Sequence, residues 1–316
     1  MWLRPLSSLY GVLSGARRLA YAGHLARSTR LPCPVIVVGN LTVGGTGKTP
    51  LVCWLAAQLK ELGFTPGIVS RGYGGSSRSP RLVQASDATA LVGDEAILLV
   101  RRSAVPVAIG RNRPAAARLL IDAGCNVIVS DDGLQHYALE RDCEIIVIDG
   151  DRRFGNGRLL PAGPLRETPA KLPRANAIVV NGGEADGQTE LRMRLLAAGA
   201  VAMKFGTNKP LREFSNQPVH AIAAIGNPQR FFATLRAAGL SVIEHPLPDH
   251  APLKIDDISF ADDLPVLMTE KDAVKCRDIV GPHHWYVPVG VVFAPGDAEK
   301  LRGIVAQSLQ QSAARA

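Results

Sequence analysis

The clearest chemical signal is a glycine-rich segment, GNLTVGGTGKTP (39–50), between an apolar run and an amphipathic helical pattern. Three glycines would let backbone N–H groups approach phosphate oxygens: Gly44, Gly45 and Gly47. Lys48 would reach the β- and γ-phosphates, and the Thr49 hydroxyl would bind Mg²⁺. The sequence therefore predicts a nucleoside triphosphate site on a strand–loop–helix unit.

Two positions in this loop depart from related patterns. The usual phosphate loop begins with glycine five residues before Gly47, where this chain has Thr42. Membrane-partitioning ATPases carry an additional lysine at the position of Val43, which argues against that class. We predict that the whole loop contacts the nucleotide: Thr42, Val43, Gly44, Gly45, Thr46, Gly47, Lys48 and Thr49.

Acidic residues follow a second apolar run, in NVIVSDDGLQH (126–136). In a doubly wound sheet, ligands collect at the carboxyl ends of the strands. Asp131 and Asp132 are therefore expected to hold Mg²⁺ directly or through water. Gln135 and His136 could line the same site, although a single histidine is more often structural.

Other loops combine glycine or proline with charged residues. They are SRGYGG (70–75), GDEA (93–96), GRNRP (110–114), GPLRE (163–167) and PDH (248–250). Taken alone, Asp94 and Glu95 would cap a helix. TEKDAVK (269–275) lacks the spacing of a guanine-specificity motif, because Lys271 and Asp272 are adjacent, so no GTP preference is inferred.

Strand-like apolar runs alternate with helical patterns along the chain. Predicted strands cover 34–38, 66–70, 105–109, 126–130, 144–149, 177–181, 219–226, 241–245, 265–269 and one strand within 284–293. Predicted helices follow the phosphate loop to about residue 62 and cover 114–123, 228–238 and 297–311. Continuous β-branched runs separated by amphipathic helices predict an α/β fold with a doubly wound, mainly parallel sheet.

The pattern restarts after a polar stretch with two prolines at 207–218, which predicts a linker. The expected organisation is an N-terminal helical region at 1–30, a phosphate-loop domain at 31–206 and a smaller α/β domain at 219–316. In the N-terminal region, apolar residues at helical spacing precede several arginines. This pattern predicts either a helix docked on the core or one lying on an anionic bilayer.

Composition restricts the class of protein. The net charge of +8 suits an acidic partner, but aromatic residues are only 5% and do not alternate with basic residues, which argues against single-stranded nucleic acid. Five widely spaced cysteines predict neither a disulfide framework nor a zinc site, and they fit a reducing cytosol. No apolar stretch is long enough to predict a membrane span.

Taken in order, these segments resemble the tetraacyldisaccharide 4′-kinase family, the lipid A 4′-kinases of Gram-negative bacteria. The resemblance covers nearly the whole chain, and Thr42 agrees with it. It implies a P-loop kinase that uses ATP and Mg²⁺ to phosphorylate the 4′-hydroxyl of a tetraacylated glucosamine disaccharide 1-phosphate, giving lipid IVA. It also implies a monotopic enzyme on the cytoplasmic face of the inner membrane. No nucleic-acid partner is expected, and no obligate protein partner is inferred.

The resemblance also implies roles for individual residues. Lys48 and Thr49 would handle phosphates and metal. Asp94 would be the base for the sugar hydroxyl, with His250 as its partner. The metal would be surrounded by Asp131, Asp132 and Glu167. Phosphate or substrate would be contacted by Arg71, Arg113 and His136, with Arg111 as the alternative to Arg113.

Two other functions would also explain part of the sequence. A different P-loop small-molecule kinase or ligase explains the phosphate loop and the acidic pair, but not the N-terminal region or the GPLRE loop. A membrane-recruited ATPase switch explains the N-terminus and the phosphate loop, but Val43 and the charged loops argue against it. Transfer of phosphate to the lipid would distinguish the kinase from both.

Overall fold

A computed structural model describes residues 3–183, 187 and 189–314 of the chain. The predicted N-terminal region, phosphate-loop domain and C-terminal domain each extend into residues outside this description: 1–2, 184–186, 188 and 315–316.

The larger sheet contains the phosphate loop. In chain order its strands are β1 (Val35–Gly39), β2 (Pro66–Ser70), β3 (Arg81–Leu82), β4 (Val107–Ile109), β5 (Val127–Asp131), β6 (Cys143–Asp149), β7 (Ala177–Asn181), β8 (Glu190–Ala197) and β15 (Val289–Phe293). Their order across the sheet is β15-β8-β7-β6-β1-β5-β2-β4-β3. The pairs are parallel except at the two edges, where β3 and β15 run antiparallel to β4 and β8. The phosphate-loop strand β1 is therefore central and lies beside β5, which ends in Asp131.

Helices lie on both faces of this sheet. The helices of the chain are α1 (Arg4–Ala22), α2 (Lys48–Glu61), α3 (Thr89–Val92), α4 (Asp94–Ser103), α5 (Arg113–Asp122), α6 (Pro228–Ala237), α7 (Ile255–Ile258), α8 (Glu270–Ala273) and α9 (Asp297–Ala313). Apolar side chains of α2, α4 and α9 pack on one face, and those of α5 pack on the other. Central strands buried on both faces favour uninterrupted β-branched sequence, which is why β1 reads VIVVG. The predicted doubly wound α/β fold is confirmed.

A second, smaller sheet follows. It comprises β9 (Gly199–Ala202), β10 (Asn208–Pro210), β11 (Val219–Ala223), β12 (Val242–Pro246), β13 (Val266–Thr269) and β14 (His284–Val287). Its order is β10-β9-β14-β13-β11-β12, and its four strands β14, β13, β11 and β12 are parallel. Apolar clusters cover both of its faces.

The chain passes between the two sheets more often than the sequence pattern predicts. The single strand expected within 284–293 is wrong, because Pro288 separates β14 in the second sheet from β15 in the first. The predicted linker 207–218 contains β10 and a 3₁₀ turn that buries Leu211 and Phe214. The two sheets therefore do not divide the chain at the predicted linker. Strand β9 precedes the linker but belongs to the second sheet, and α9 follows the linker but packs on the first sheet.

Candidate active site

The phosphate loop lies between β1 and α2. Gly44 and Gly47 have φ angles of 93° and 92°, in the region that favours glycine. A Cβ atom added at Gly47 would lie 2.6 Å from Nδ2 of Asn181, which donates a hydrogen bond to the Thr46 carbonyl. The helix begins directly after Gly47, so the free N–H groups of its first turn border the loop. A helix N-terminus with such a loop is an anion site.

The Lys48 side chain lies across this loop. Its Nζ is 3.1 Å from Oδ1 of Asn40 and 3.6 Å from Oδ1 of Asp132. The Asn40 amide in turn donates to the Thr42 carbonyl at 2.7 Å, and Gln135 donates to the Asn40 carbonyl at 3.1 Å. These contacts hold the Lys48 ammonium group at the loop, where a phosphate would bind.

The GPLRE segment (163–167) forms a second layer behind the loop. Thr42 pairs with Leu165 in an antiparallel bridge, and the Val43 N–H donates to the Pro164 carbonyl at 2.8 Å. Thr42 has no positive φ angle, so its position does not require glycine. The departure from the usual loop pattern is therefore accommodated by pairing with this segment.

Asp131 ends β5 and is almost fully buried. Its Oδ1 has no hydrogen-bond partner among the described residues. Burial, followed by the nearby charge of Glu95, raises the pKa of Asp131 to about 7, and the Lys48 ammonium only partly opposes this. A buried carboxyl with an unpaired oxygen is suited to a cation.

Asp132 is in a contrasting environment. Its backbone has a φ angle of 48°, which is uncommon for a residue other than glycine. Nη1 of Arg166 donates to both of its carboxylate oxygens, at 3.0 and 2.8 Å. Burial acts to raise the pKa of Asp132, but Lys48 and Arg166 outweigh it, so this pKa is lowered. Asp132 is therefore a carboxylate that holds two cations in the site.

Arg113 is buried beneath the acidic pair. Its Nη2 donates to the carbonyl oxygens of Asp131 and Asp132, at 2.9 and 2.8 Å. The Asn112 side chain caps α5 by accepting from the Ala115 N–H, which fixes the backbone at Arg113. Burial lowers the pKa of Arg113 to about 10. The structure thus places Nη2 of this guanidinium against the protein backbone, and the contact of Arg113 with phosphate or substrate stays a prediction.

The remaining predicted cations lie nearby in different settings. Arg71 and Arg111 are exposed, after β2 and β4 respectively. The pKa of His136 is lowered to about 4, first by burial and then by neighbouring arginines that include Arg113 and Arg71. His136 is therefore a neutral imidazole, and its buried Nε2 has no hydrogen-bond partner among the described residues.

The Glu167 side chain contacts Tyr137 and Lys171. Its Oε2 accepts a hydrogen bond from Tyr137 at 2.7 Å and lies 3.5 Å from Nζ of Lys171. In the part of the chain that the structure describes, no three His, Cys, Asp or Glu side chains are grouped so as to hold a metal ion. The expected cluster of Asp131, Asp132 and Glu167 is therefore not formed by the protein alone.

Asp94 and His250 are brought together from different sheets. Nδ1 of His250 lies 3.0 Å from Oδ2 of Asp94. Asp94 begins α4 after the first sheet's β3, and His250 follows β12 of the second sheet with a φ angle of 60°. The Tyr73 ring packs beside the imidazole, with ring centroids 5.1 Å apart. The structure thus forms the pair that the resemblance implies.

Sequence reasoning missed several residues of the site. Nζ of Lys271 lies 3.1 Å from Nε2 of His250 and 3.2 Å from Glu95. Arg152 donates to the Gly45 carbonyl at 2.7 Å. The TEKDAVK segment contributes to the family resemblance, but its pattern assigns no role to Lys271, and no local pattern marks Arg152.

The α1 helix borders the same region. The Tyr10 hydroxyl donates to the Arg166 carbonyl at 3.1 Å, and Ser7 donates to the Leu159 carbonyl at 2.7 Å. A cavity of about 380 Å³ lies between α1 and the loops, lined partly by Arg17, Arg18, Gln135, Arg166 and Glu167. The other side of α1 is exposed and apolar. No described helix is both long and apolar enough to cross a membrane.

The chain is similar to known proteins over most of its length. The family profile of the tetraacyldisaccharide-1-P 4′-kinases matches residues 1–310. The chain is 47% identical over 311 residues to tetraacyldisaccharide 4′-kinase of Nitrosococcus oceani, covering 98% of this chain and 91% of that protein. It is 50% identical over 302 residues to the enzyme of the same name from Methylobacillus flagellatus, covering 95% and 90%.

A solved structure extends the similarity to the fold. The crystal structure of LpxK from Aquifex aeolicus in complex with ATP matches with a TM-score of 0.83 and 28% identity, covering 97% of this chain and 98% of that one. The chain belongs to the tetraacyldisaccharide-1-P 4′-kinase family of phosphotransferases.

Proposed function

We propose that this protein transfers the γ-phosphate of ATP to the 4′-hydroxyl of a tetraacylated glucosamine disaccharide 1-phosphate, the step that forms lipid IVA in lipid A and lipopolysaccharide biosynthesis. One observation carries the proposal: the phosphate loop and the Asp94–His250 pair border the same space. Glu95, next to Asp94, raises the pKa of Asp131. A Cβ atom added at Gly226 would lie 3.2 Å from Asp249 and 3.5 Å from the Gly45 nitrogen.

ATP would bind through the phosphate loop. The N–H groups around Gly44, Gly45 and Gly47 and the first turn of α2 surround the β- and γ-phosphates. Lys48 stabilises the charge on the γ-phosphoryl group as it transfers. This arrangement supplies the positioning and charge neutralisation that phosphoryl transfer mainly requires.

Mg²⁺ fits the donors on one side of this loop. The unpaired, buried Oδ1 of Asp131 and the Thr49 hydroxyl are hard oxygen donors. The Glu95 carboxylate is close enough for its charge to raise the pKa of Asp131. Mg²⁺ usually combines one or two carboxylates with phosphate oxygens and water, so an all-protein cluster is not needed. Bound there, the ion would neutralise charge on the phosphates. Asp132, held by Arg166, and Glu167, held by Tyr137, would support this set from outside.

The acceptor hydroxyl would lie against Asp94. As its oxygen bonds to the γ-phosphorus, the bond from phosphorus to the β–γ bridging oxygen breaks and ADP leaves. The hydroxyl proton passes to Asp94, and His250 orients this carboxylate through its Nδ1. Arg71 and the neutral His136 would contact the phosphates or the acceptor.

The lipid would enter along α1. The cavity there is lined by Arg17, Arg18 and Arg166, which suit the anionic head of the disaccharide lipid. Exposed leucines on the other side of α1 would lie in the membrane surface, with the protein bound peripherally to the cytoplasmic face of the inner membrane.

The test is transfer of label from γ-labelled ATP to the disaccharide lipid in detergent with Mg²⁺. We expect labelled lipid with wild-type protein, a loss of at least about 100-fold in kcat with Lys48→Ala, and a loss of at least about tenfold with Asp94→Asn. Binding of ATP to Asp94→Asn, measured by calorimetry, should stay near wild type. ATP hydrolysis without labelled lipid would instead favour a different P-loop enzyme or an ATPase switch.

A further inference from the structure

Lys271 contacts both members of the Asp94–His250 pair from the second sheet. Its Nζ lies 3.1 Å from Nε2 of His250, 3.2 Å from Oε1 of Glu95 and 4.0 Å from Oδ2 of Asp94. Only 18% of its side chain is exposed. A largely buried ammonium at this position is therefore part of the site's geometry.

The charge on Lys271 determines what His250 can do. Burial acts to lower the pKa of Lys271, but the carboxylates of Glu95, Asp94 and Asp249 outweigh it and raise that pKa. The side chain is thus an ammonium, which has three donors and no acceptor. Nε2 of His250 must accept the hydrogen bond from it, so the ring proton lies on Nδ1.

That tautomer completes the pair with Asp94. A proton on Nδ1 of His250 is donated to Oδ2 of Asp94 at 3.0 Å. The opposite tautomer would place an N–H against the ammonium and leave two acceptors facing each other at Asp94. Two independent contacts of the imidazole therefore select the same tautomer.

The backbone at Lys271 is fixed on both sides. Glu270 accepts a hydrogen bond from Arg102 of α4 at 2.9 Å. Asp272 is fully buried and accepts from the Ala224 N–H at 3.0 Å. The lysine stem therefore projects from the short helix α8, whose side chains contact α4 beside the first sheet and the backbone after β11 of the second, which suits a residue whose task is orientation.

We propose that Lys271 is a positioning residue of the kinase, which holds His250 with its proton on Nδ1 and joins that imidazole to Glu95 across the two sheets. This role rests on the proposed function, because its effect on turnover is exerted through Asp94. Lys275 provides a contrast. Its Nζ pairs with Asp272 at 2.8 Å and lies 3.8 Å from Oδ2 of Asp94, so its contacts are with carboxylates, whereas Lys271 also contacts the imidazole.

The first test reads the tautomer directly and needs no substrate. Nitrogen-15 NMR of protein labelled at its seven histidines distinguishes protonated from unprotonated ring nitrogens, and His250→Gln identifies the signal. Wild type should show His250 protonated on Nδ1 and not on Nε2. Lys271→Met leaves Asp94 as the remaining contact that selects the tautomer, so the fraction of His250 protonated on Nε2 should rise above that of wild type. Lys204→Met, at an exposed lysine between β9 and β10, should leave that fraction unchanged. A wild-type spectrum with the proton on Nε2 would overturn the proposal.

The second test separates positioning from folding. Lys271→Met should lower kcat for lipid phosphorylation about 10- to 100-fold, as loss of a residue that orients a functional group typically does, with KM for ATP changed less than about threefold. Lys271→Cys, alkylated to aminoethylcysteine, restores an ammonium at nearly the same place and should regain most of the lost kcat. Wild type treated identically is the control.

The outcomes are distinct. Wild-type protein that transfers no label to lipid would refute the proposed function, whatever the histidine spectrum shows. An active wild type combined with normal kcat in Lys271→Met, or with no rescue in correctly folded aminoethylated protein, would refute the role of Lys271. If Lys271→Met does not fold, the wild-type spectrum and the aminoethylated variant still decide.

Discussion

Asp131 and Asp132 show how far two adjacent side chains can differ. Asp131 is buried with an unpaired oxygen, and its pKa is raised. Asp132 faces Lys48 and Arg166, and its pKa is lowered. Sequence alone treats them as equivalent metal ligands, whereas their surroundings give them separate tasks. One carboxyl is suited to an added cation, and the other already has two.

This difference predicts opposite responses to pH. An aspartate has a pKa of about 4 in an unfolded chain, so between about pH 4 and pH 7 the folded protein binds an additional proton at Asp131. Its contribution to the free energy of unfolding therefore decreases as pH rises through that window. Asp131→Asn should raise the melting temperature of the metal-free protein at pH 8 but not at pH 4.5, and it should abolish stabilisation by Mg²⁺ with ATP.

Asp132→Asn is the matched control for that experiment. Its lowered pKa means that the carboxylate stabilises the folded protein above the unfolded pKa, and this contribution is lost as pH falls through the folded pKa. The variant should therefore melt at a lower temperature than wild type at pH 8. A destabilised Asp131→Asn at pH 8 would contradict the assignment of a buried carboxyl with an unpaired oxygen at Asp131.

At the scale of elements, the phosphate loop depends on backbone geometry. Gly44 and Gly47 occupy positive φ angles, and the space beside Gly47 is filled by Asn181 from β7. Gly45, in contrast, has no positive φ angle and no neighbour within reach of an added Cβ atom. The glycines of one short loop thus serve different purposes.

Gly47→Ala and Gly45→Ala form a matched pair. Gly47→Ala should destabilise the ATP-free protein by about 1–3 kcal/mol, because it combines strain at positive φ with a clash at Asn181. Gly45→Ala should change stability by less than about 0.5 kcal/mol. Urea denaturation monitored by circular dichroism measures both. Equal effects would contradict this description of the loop.

The α1 helix has two functional sides. Tyr10 and Ser7 attach it to the loop that contains Arg166, and exposed leucines cover much of the rest. No α1 residue is fully buried, so docking on the core does not account for these leucines. One helix can therefore both dock on the protein through Ser7 and Tyr10 and present an apolar side to a bilayer, so the two predictions for the N-terminus are compatible.

Charge placed on the exposed side of α1 should separate membrane binding from catalysis. The double variant Leu6→Glu/Leu9→Glu should lower cosedimentation with anionic phospholipid vesicles at least about tenfold, because it removes two apolar anchors and adds repulsion. Its kcat on detergent-solubilised lipid should remain within about threefold of wild type. Leu196→Glu, at a leucine of similar exposure on β8, is the control and should bind vesicles normally.

At the scale of the whole molecule, the second sheet is joined to the first at the site. Arg230 of α6 donates to Asp149 at the end of β6, at 3.1 Å, and to the Asn181 carbonyl at 3.2 Å. Asp94 and His250 form another contact between elements of the two sheets. The active site is therefore assembled by contacts between the sheets.

Removing one of these contacts should loosen the docking of the sheets. Arg230→Ala should lower the free energy of unfolding by about 1–2 kcal/mol, because the buried Asp149 loses one of its two arginine partners and keeps Arg152 and the N–H groups of Asp151 and Arg152. Hydrogen exchange should increase around Gly226 and the phosphate loop. Arg236→Ala on the same helix removes an exposed ion pair with Glu244 inside the second sheet, and should cost less than about 0.5 kcal/mol.

Local patterns predicted the repetitive parts of the fold well. The β-branched runs of β1, β5 and β6 are dictated by burial on both faces, so each appears in the sequence without knowledge of its neighbours. Edge strands β3 and β10 are short and polar and carry no such signal. The pattern does not separate β15 from β14, because the chain changes sheets at a single proline.

The sequence by itself determined the phosphate loop, the acidic pair and their placement at strand ends, because these depend on residue type and on neighbours along the chain. It also carried the ordered segments that indicate the kinase family. Only the tertiary structure decided that Arg113 donates to the backbone of the acidic pair, that Glu167 pairs with Tyr137, and that Lys271 meets His250. Such contacts join residues far apart in the chain, and burial sets their charge, which no local pattern records.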